Sequence, residues 1–186
     1  MVTIDFFLNL LSGGIIGGIA SFIASNFFLK HNNNKNRPSI EISDKLIETL
    51  RDDGTPALLI KVINKTDKDI ADIIFEVEGI NNLSPAGSIP LLNLTLLGRR
   101  EILYIQKFDS NDTNAHYAHR TKLFRSDGSI VQECKKYETI RISIKASCPY
   151  YGTSVITSKE YSNSEDILNN THSFNTGNSL SCSVHL

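Results

Sequence analysis

The chain has 186 residues and a formal net charge of −1. Because general nucleic-acid binding requires a surplus of clustered Lys and Arg, this balance excludes nucleic acid as the expected partner. The three cysteines have no paired spacing, which argues against a small extracellular domain built on disulfides.

The first predicted element is a transmembrane helix over residues 6–29, preceded by a short flank of residues 1–5. The run contains no charged residue, and at about 1.5 Å per residue it can cross a hydrocarbon core of roughly 30 Å. A cleaved secretory leader fits less well, because the flank has no Lys or Arg and the apolar run is too long. A buried core helix would normally show a polar face. The sequence therefore predicts an uncleaved membrane anchor.

Residues 30–38 form a basic, Asn-rich linker after this helix. Its cationic residues Lys30, Lys35 and Arg37 have no counterpart before the helix, so the positive-inside rule places the N-terminus outside and the following domain in the cytoplasm. The predicted location is the cell (inner) membrane, crossed once. The same three side chains are expected to contact anionic headgroups at the membrane surface.

Small residues recur along the predicted anchor at a spacing of four, in two adjacent registers. Such a face lets two helix backbones approach closely within lipid. We therefore expect a homo-oligomer formed through the helix, with the contact made by Gly13, Gly14, Gly17, Gly18, Ser21 and Ser25.

Residues 39–161 are predicted to form an all-β domain. Apolar and polar residues alternate, as in Ile140, Ile142 and Ile144 against Arg141, Ser143 and Lys145, and turn-forming clusters separate the runs. Roughly seven to nine short strands with no amphipathic helix indicate an antiparallel immunoglobulin-like β-sandwich or a small barrel. The predicted strands are Ile40–Ile42, Ala57–Ile63, Ile70–Glu78, Leu91–Leu97, Glu101–Phe108, Lys122–Arg125, Ile130–Cys134, Ile140–Ala146 and Thr153–Tyr161.

The stretch Ala57–Phe108 has a strand that ends at an Asn-containing turn, an Ile/Val-rich strand, and a Leu96-Leu97-Gly98 turn that opens the next strand. In these features it resembles immunoglobulin-like and fibronectin-like bacterial accessory modules. The resemblance implies a sandwich architecture and no particular function. Because the chain has no Trp, the Cys…Trp…Cys core of an antibody-type domain is excluded.

No sequence motif predicts catalysis. A Gly-rich phosphate loop, a nucleophile elbow and paired carboxylates are all missing from the sequence, so we expect a protein that is not an enzyme and needs no cofactor. His116 and His119 have a spacing seen in zinc sites, but without a third convincing ligand no metal site is predicted. A loop at one end of the sandwich is the candidate binding loop instead; its residues are Asp109, Asp112, His116, Tyr117, His119 and Arg120.

Three further groups of residues carry predictions about packing. Cys134 and Cys148 are expected to be packing residues rather than nucleophiles. Residues 162–186 form a polar tail, expected to be a mobile loop over Asn163–Asn178 and at most one edge strand over Ser179–Leu186. Six tyrosines either form an aromatic contact patch or pack within the sheets: Tyr104, Tyr117, Tyr137, Tyr150, Tyr151 and Tyr161.

Two functional hypotheses follow, and an enzyme is the third and weakest. In the first, a single-pass membrane protein presents a cytoplasmic β-sandwich that binds or scaffolds an unknown protein partner or small ligand. In the alternative, the chain is a self-assembling membrane effector whose β domain senses a ligand while its helices disrupt the bilayer. This second arrangement resembles some bacterial antiphage effectors.

Overall fold

The computed structural model describes residues 17–28, 36–83 and 91–184. Its contacts divide the chain into two compact units, Met1–Arg37 and Pro38–Leu186. In the first unit, residues 17–28 are helical (α1). Within the described residues, no helix has the length and apolar character needed to cross a membrane. Residues 6–16 and 29 of the predicted transmembrane helix lie outside the described part of the chain.

The described part of the second unit consists mainly of β-strands, with one short helix, α2, at Ile130–Cys134. The strands are β1 (Ile40–Ile42), β2 (Leu46–Leu50), β3 (Pro56–Asn64), β4 (Ile70–Leu83), β5 (Leu91–Ile105), β6 (Ala118–Leu123), β7 (Thr139–Cys148), β8 (Thr153–Ser162), β9 (Ile167–Leu168), β10 (His172–Phe174) and β11 (Cys182–Val184).

Two larger sheets pack against one hydrophobic core. In the first, called sheet A, one edge of β3 pairs with β2 along its first half and with β1 along its second half, and β3 also pairs with β6. Strand β2 pairs in addition with β9. In the second, called sheet B, the order is β5-β4-β7-β8 and all neighbours are antiparallel. The core draws side chains from both sheets, among them Leu58 and Ile60 of β3 and Phe75 of β4. The mostly β, antiparallel character predicted from the sequence is confirmed.

The alternation on β7 is also confirmed. Ile140, Ile142 and Ile144 are fully buried, whereas Lys145 is exposed and the outward residues before it are half-buried. The same pattern holds on β4, where Phe75 is buried and its neighbours are not. A period-two pattern identifies the core face correctly because successive side chains of a strand point to opposite faces.

The predicted turn at Gly98–Arg100 is wrong, because β5 runs without interruption from Leu91 to Ile105. Gly98 serves a packing need instead: a Cβ at this position would lie 3.0 Å from the Ile130 Cδ1 atom of helix α2. A bulge between Val77 and Glu78 of β4 lies opposite this position. Glycine therefore allows the helix to approach the strand closely.

The predicted strand Ile130–Cys134 is wrong as well, since this segment is helix α2. Ser129 caps it by accepting a hydrogen bond from the Gln132 N–H at 3.3 Å. Ile130, Val131 and Cys134 are buried, a spacing that suits one side of a helical turn. The strand predicted at Lys122–Arg125 lies earlier in the chain, at Ala118–Leu123.

The polar tail contains more regular structure than predicted. The segment expected to be only a loop includes β9, which runs parallel to β2, and β10. The segment Ser179–Leu186 contributes β11, which pairs with β10 in a separate two-stranded sheet rather than at the edge of a larger one. The apolar pattern missed β9 and β10 because they have only two and three residues.

Lys61 fixes this tail over the outer face of sheet A. Its side chain projects from the middle of β3, and only 1% of the residue is exposed. The Nζ atom donates hydrogen bonds of 2.7 Å to the carbonyl oxygens of Asn175, Gly177 and Ser179. An ammonium group has three N–H donors, so each of them has a partner. Burial, and then the positive charge of Arg120, lower the pKa of Lys61 to about 8, which leaves the ammonium form dominant at pH 7.

Candidate basic binding cleft

A cleft of about 490 Å³ opens where the edge strands β5 and β6 lie beside the turn that joins β2 to β3. Three separate chain segments supply its walls, and most of the side chains are charged. The lining residues are Arg51, Asp52, Asp53, Arg100, His119, Arg120, Thr121, Lys122 and Phe124.

In one wall of this cleft, two arginine side chains lie against the ring of Phe124. The Arg51 Cζ atom lies 4.0 Å from the centroid of the Phe124 ring, and the Arg100 Cζ atom lies 5.3 Å from it. Contact with an aromatic face holds a guanidinium group while leaving N–H donors at its edge available. The Arg51 Nη1 atom uses one of these donors to pair with the Asp53 carboxylate at 3.0 Å.

Strand β6 supplies the other wall. The Lys122 ammonium donates a hydrogen bond of 2.7 Å to the Leu50 carbonyl oxygen and lies 3.7 Å from the Asp52 carboxylate. The Arg120 Nη2 atom donates to the Asn175 carbonyl oxygen at 3.3 Å. Burial, together with the positive charge of Arg100, lowers the pKa of His119. The imidazole is therefore neutral at pH 7.

The candidate binding loop is divided by the structure. The carboxylate of Asp112 accepts hydrogen bonds from the backbone N–H groups of Asn114 and His116 and contacts the His116 Nδ1 atom at 3.0 Å. The hydrogen bond from the His116 N–H lowers the pKa of Asp112. Asp109 similarly caps a turn by accepting from the Asn111 N–H at 2.9 Å. These two carboxylates support the loop's own backbone.

The remaining members of the predicted loop lie in two different surroundings. Tyr117 is buried and contacts the Phe108 ring edge-on, with 4.8 Å between the ring centroids. His119 and Arg120 lie on β6 and line the cleft. His116 and His119 thus have separate roles, and among the described residues no three His, Cys, Asp or Glu side chains are grouped as metal ligands.

The tyrosines do not form one exposed patch. Tyr161 is fully buried and donates a hydrogen bond of 2.8 Å to the Ser43 carbonyl oxygen. Tyr137 packs over Gly79, where an added Cβ would lie 2.6 Å from the ring. Tyr150 and Tyr151 contact each other edge-on at the turn between β7 and β8.

Cys134 and Cys148 are both buried. Burial raises the pKa of Cys134 to about 12, so this thiol is not a nucleophile at neutral pH.

The predicted residues of the first unit are described only in part. Arg37 is exposed, and four of the small residues lie on α1. A Cβ atom added to Gly17 or Gly18 would meet no other atom within 4 Å. Outside the described residues lie Gly13, Gly14, Lys30 and Lys35.

A second surface, the outer face of sheet B, is uncovered in the described residues. One row across this sheet consists of Glu101, Ile74, Lys145 and Ile156, and 70% of Ile156 is exposed. Leu103 of β5 is 78% exposed. Apolar side chains on this face therefore alternate with charged ones.

Sequence reasoning missed seven of the nine residues that line the cleft: Arg51, Asp52, Asp53, Arg100, Thr121, Lys122 and Phe124. The Arg99-Arg100 pair was available as a signal, but it was interpreted as part of a turn. The other residues come from distant segments: pairing of β3 with β2 and β6 brings two of these segments together, and the contact of β5 of sheet B with β6 adds Arg100.

No protein-family model matches the chain, and no curated protein matches it.

Proposed function

We propose that this chain is a membrane-anchored, non-enzymatic module that binds or scaffolds another protein at the cytoplasmic face of the cell membrane. The observation that carries the proposal is the apolar surface of α1. In this helix Phe22, Phe27 and Phe28 are each about 70% exposed, and Ile19 and Ile23 about half exposed. Side chains of this kind require an apolar environment, which a bilayer provides.

An immunoglobulin-like sandwich is the architecture that we propose for the domain. Its support is the order of connections: β1 to β3 and β6 belong to sheet A, while β4, β5, β7 and β8 belong to sheet B. The chain thus passes between two sheets that share one core. Antiparallel sandwiches connected in this way present their faces and end loops for contacts with other molecules.

The proposed protein-binding surface is the outer face of sheet B. Ile156 and Ile74 flank Lys145 there, and they line a shallow groove of about 220 Å³. Exposed apolar side chains rimmed by charges are a common feature of protein interfaces. A photoreactive amino acid at position 156 should cross-link to one defined protein in cells. The same group at the exposed tail residue Thr176 should not, and equal labelling from both positions would contradict this surface.

Anchoring and orientation are tested by fractionation and thiol labelling. The protein should remain with membranes after washing with alkaline carbonate. With the native cysteines removed, a cysteine at Asn36 should react with an impermeant thiol reagent only after the cells are opened. Labelling in intact cells would show that the orientation is the opposite one. Release of the protein by carbonate would show that it is not anchored in the membrane.

Self-association of the helix is part of the proposal and decides between the scaffold and the membrane-disrupting effector. Gly17, Ser21 and Ser25 recur at successive turns of α1, on the side opposite to Ile19 and Ile23. Substituting both Gly17 and Gly18 by Ile should abolish cross-linking between copies while leaving insertion intact. An effector would in addition collapse the membrane potential when it is overexpressed, and this effect would disappear in the double variant.

A further inference from the structure

The basic cleft holds more positive charge than its own carboxylates neutralise. Four Arg or Lys side chains line it, against two Asp side chains. Asp53 pairs with Arg51, and Asp52 lies closest to Lys122. Arg100 contacts the Phe124 ring and forms no ion pair with a described carboxylate.

Arg120 is the second guanidinium without a carboxylate partner among the described residues. Its contact is with the Asn175 carbonyl oxygen at 3.3 Å, a neutral acceptor. Arg100 and Arg120 together therefore leave two positive charges at one cleft. His119 precedes Arg120 on β6, and burial together with the positive charge of Arg100 lowers its pKa, so it adds no third positive charge at pH 7.

We infer that this cleft binds the phosphomonoester group of a small ligand, with Arg100 and Arg120 as the main contacts. Such a group carries a charge of about −1.5 to −2 at pH 7, which matches the two unpaired guanidinium groups. A single carboxylate would neutralise only one of them. A guanidinium also presents its donors as a planar fork that fits two phosphate oxygens.

The volume of the cleft indicates how large the ligand is. A volume of about 490 Å³ is much larger than one phosphate group and lies within the range of small-molecule sites. The buried Thr121 and the half-buried Lys122 supply additional polar contacts for the rest of the molecule. The phosphate could belong to a soluble metabolite or to a lipid headgroup, and the two sources share this chemistry.

Calorimetric titration of the full-length protein in nanodiscs of neutral lipid tests the inference. Glycerol 3-phosphate is the soluble probe, and nanodiscs doped with phosphatidate provide the lipid arm. Arg100→Gln and Arg120→Gln should each weaken binding by about tenfold or more, since a hydrogen bond to a charged group is lost. The matched control is Arg125→Gln, which alters the arginine next to Phe124 that pairs with Asp127 and lines neither the cleft nor the groove of sheet B.

The outcomes separate clearly. Tenfold weakening in both cleft variants, with the control within about twofold of the parent, supports the site. Saturable binding of glycerol 3-phosphate would indicate a soluble ligand, and saturable binding of phosphatidate would indicate a lipid headgroup. Failure of the parent to bind either probe, or equal weakening by Arg125→Gln, overturns the inference. Tighter binding of an acidic peptide than of glycerol 3-phosphate, lost in the same variants, would overturn it in favour of a protein partner. Each variant is first checked for an unchanged thermal unfolding midpoint, and if one cleft variant fails this check, the other decides the test.

Discussion

The outer faces of the two sheets each carry a lysine in the middle of a strand, yet the two side chains have opposite environments. On sheet A, Lys61 is buried beneath the C-terminal segment and donates to three carbonyl oxygens. On sheet B, Lys145 is exposed beside Ile74 and Ile156. The sequence pattern of the strands does not distinguish the two lysines. Their burial differs because the C-terminal segment covers the face of sheet A, whereas no described residue covers the face of sheet B.

The two faces are therefore stabilised differently. Burying an ammonium group is costly unless all of its donors are satisfied, and the tail satisfies them with backbone carbonyls. The uncovered face relies on cross-strand pairs in contact with water, such as Arg141 with Glu160 at 2.7 Å and Ser143 with Ser158 at 2.9 Å. Water competes for these pairs, so individual residues on this face should matter little to stability.

The largest expected effect is at Lys61. Lys61→Ala leaves three carbonyl oxygens without their donor and opens a void, so the free energy of unfolding should fall by about 3–5 kcal/mol, at roughly 1–2 kcal/mol for each unsatisfied carbonyl. Lys145→Ala, the matched change on the other face, should alter it by less than about 0.5 kcal/mol. Urea unfolding of the full-length protein in detergent, followed by circular dichroism, measures both. Similar values for the two variants would show that the tail does not stabilise sheet A.

A second prediction compares the two faces of one strand. Ile142 of β7 is fully buried, whereas its neighbour Ser143 lies on the open face. Ile142→Ala should lower the free energy of unfolding by about 3 kcal/mol through lost burial and the cavity left behind. Ser143→Ala should change it by less than about 0.5 kcal/mol. The same unfolding experiment decides, and equal effects would contradict the strand register.

The third prediction concerns pH and a buried group. Burial raises the pKa of Cys134 from 9.0 to about 12. Between these values the unfolded chain loses the thiol proton while the folded chain keeps it, so the contribution of Cys134 to stability falls as pH rises above about 9. At pH 10 this contribution should be about 1 kcal/mol lower than at pH 8. Lys61, whose pKa is lowered to about 8, contributes in the opposite direction over the same range, so the Cys134 part is measured as the difference between the parent and Cys134→Ala. In Cys134→Ala this part of the pH dependence should disappear, and an unchanged pH profile would argue against burial of the thiol.

The smallest effect is expected for the ion pair on the open face. Arg141 and Glu160 face each other across β7 and β8, and about half of the Glu160 side chain is exposed. A double-mutant cycle with Arg141→Ala and Glu160→Ala should give a coupling energy of about 0.2–1 kcal/mol, reduced by added salt. A coupling energy above about 2 kcal/mol would mean that this face is covered in the intact protein.

The errors of the sequence predictions have one physical origin. Gly98 was interpreted as a turn because glycine commonly marks turns, but here it provides space for Ile130. The segment Ile130–Cys134 is too short for its apolar spacing to separate a helix from a strand. Both features depend on a neighbour distant in sequence. The core positions Ile140, Ile142 and Ile144, by contrast, were predicted correctly because their alternation is a local property of one strand.

The sequence by itself determined that the described domain is mostly antiparallel β-structure and which face of β7 enters the core, because both follow from the period of the apolar residues. Only the tertiary structure decided that Lys61 is buried, since its partners come from a tail more than a hundred residues away. The cleft around Phe124 was decided in the same way. Its charges are distributed over three segments, which meet through strand pairing in sheet A and through the contact of β5 with β6 between the sheets. Local pattern specifies which face of a regular strand enters the core, whereas a site made of distant residues exists only after the sheets have formed.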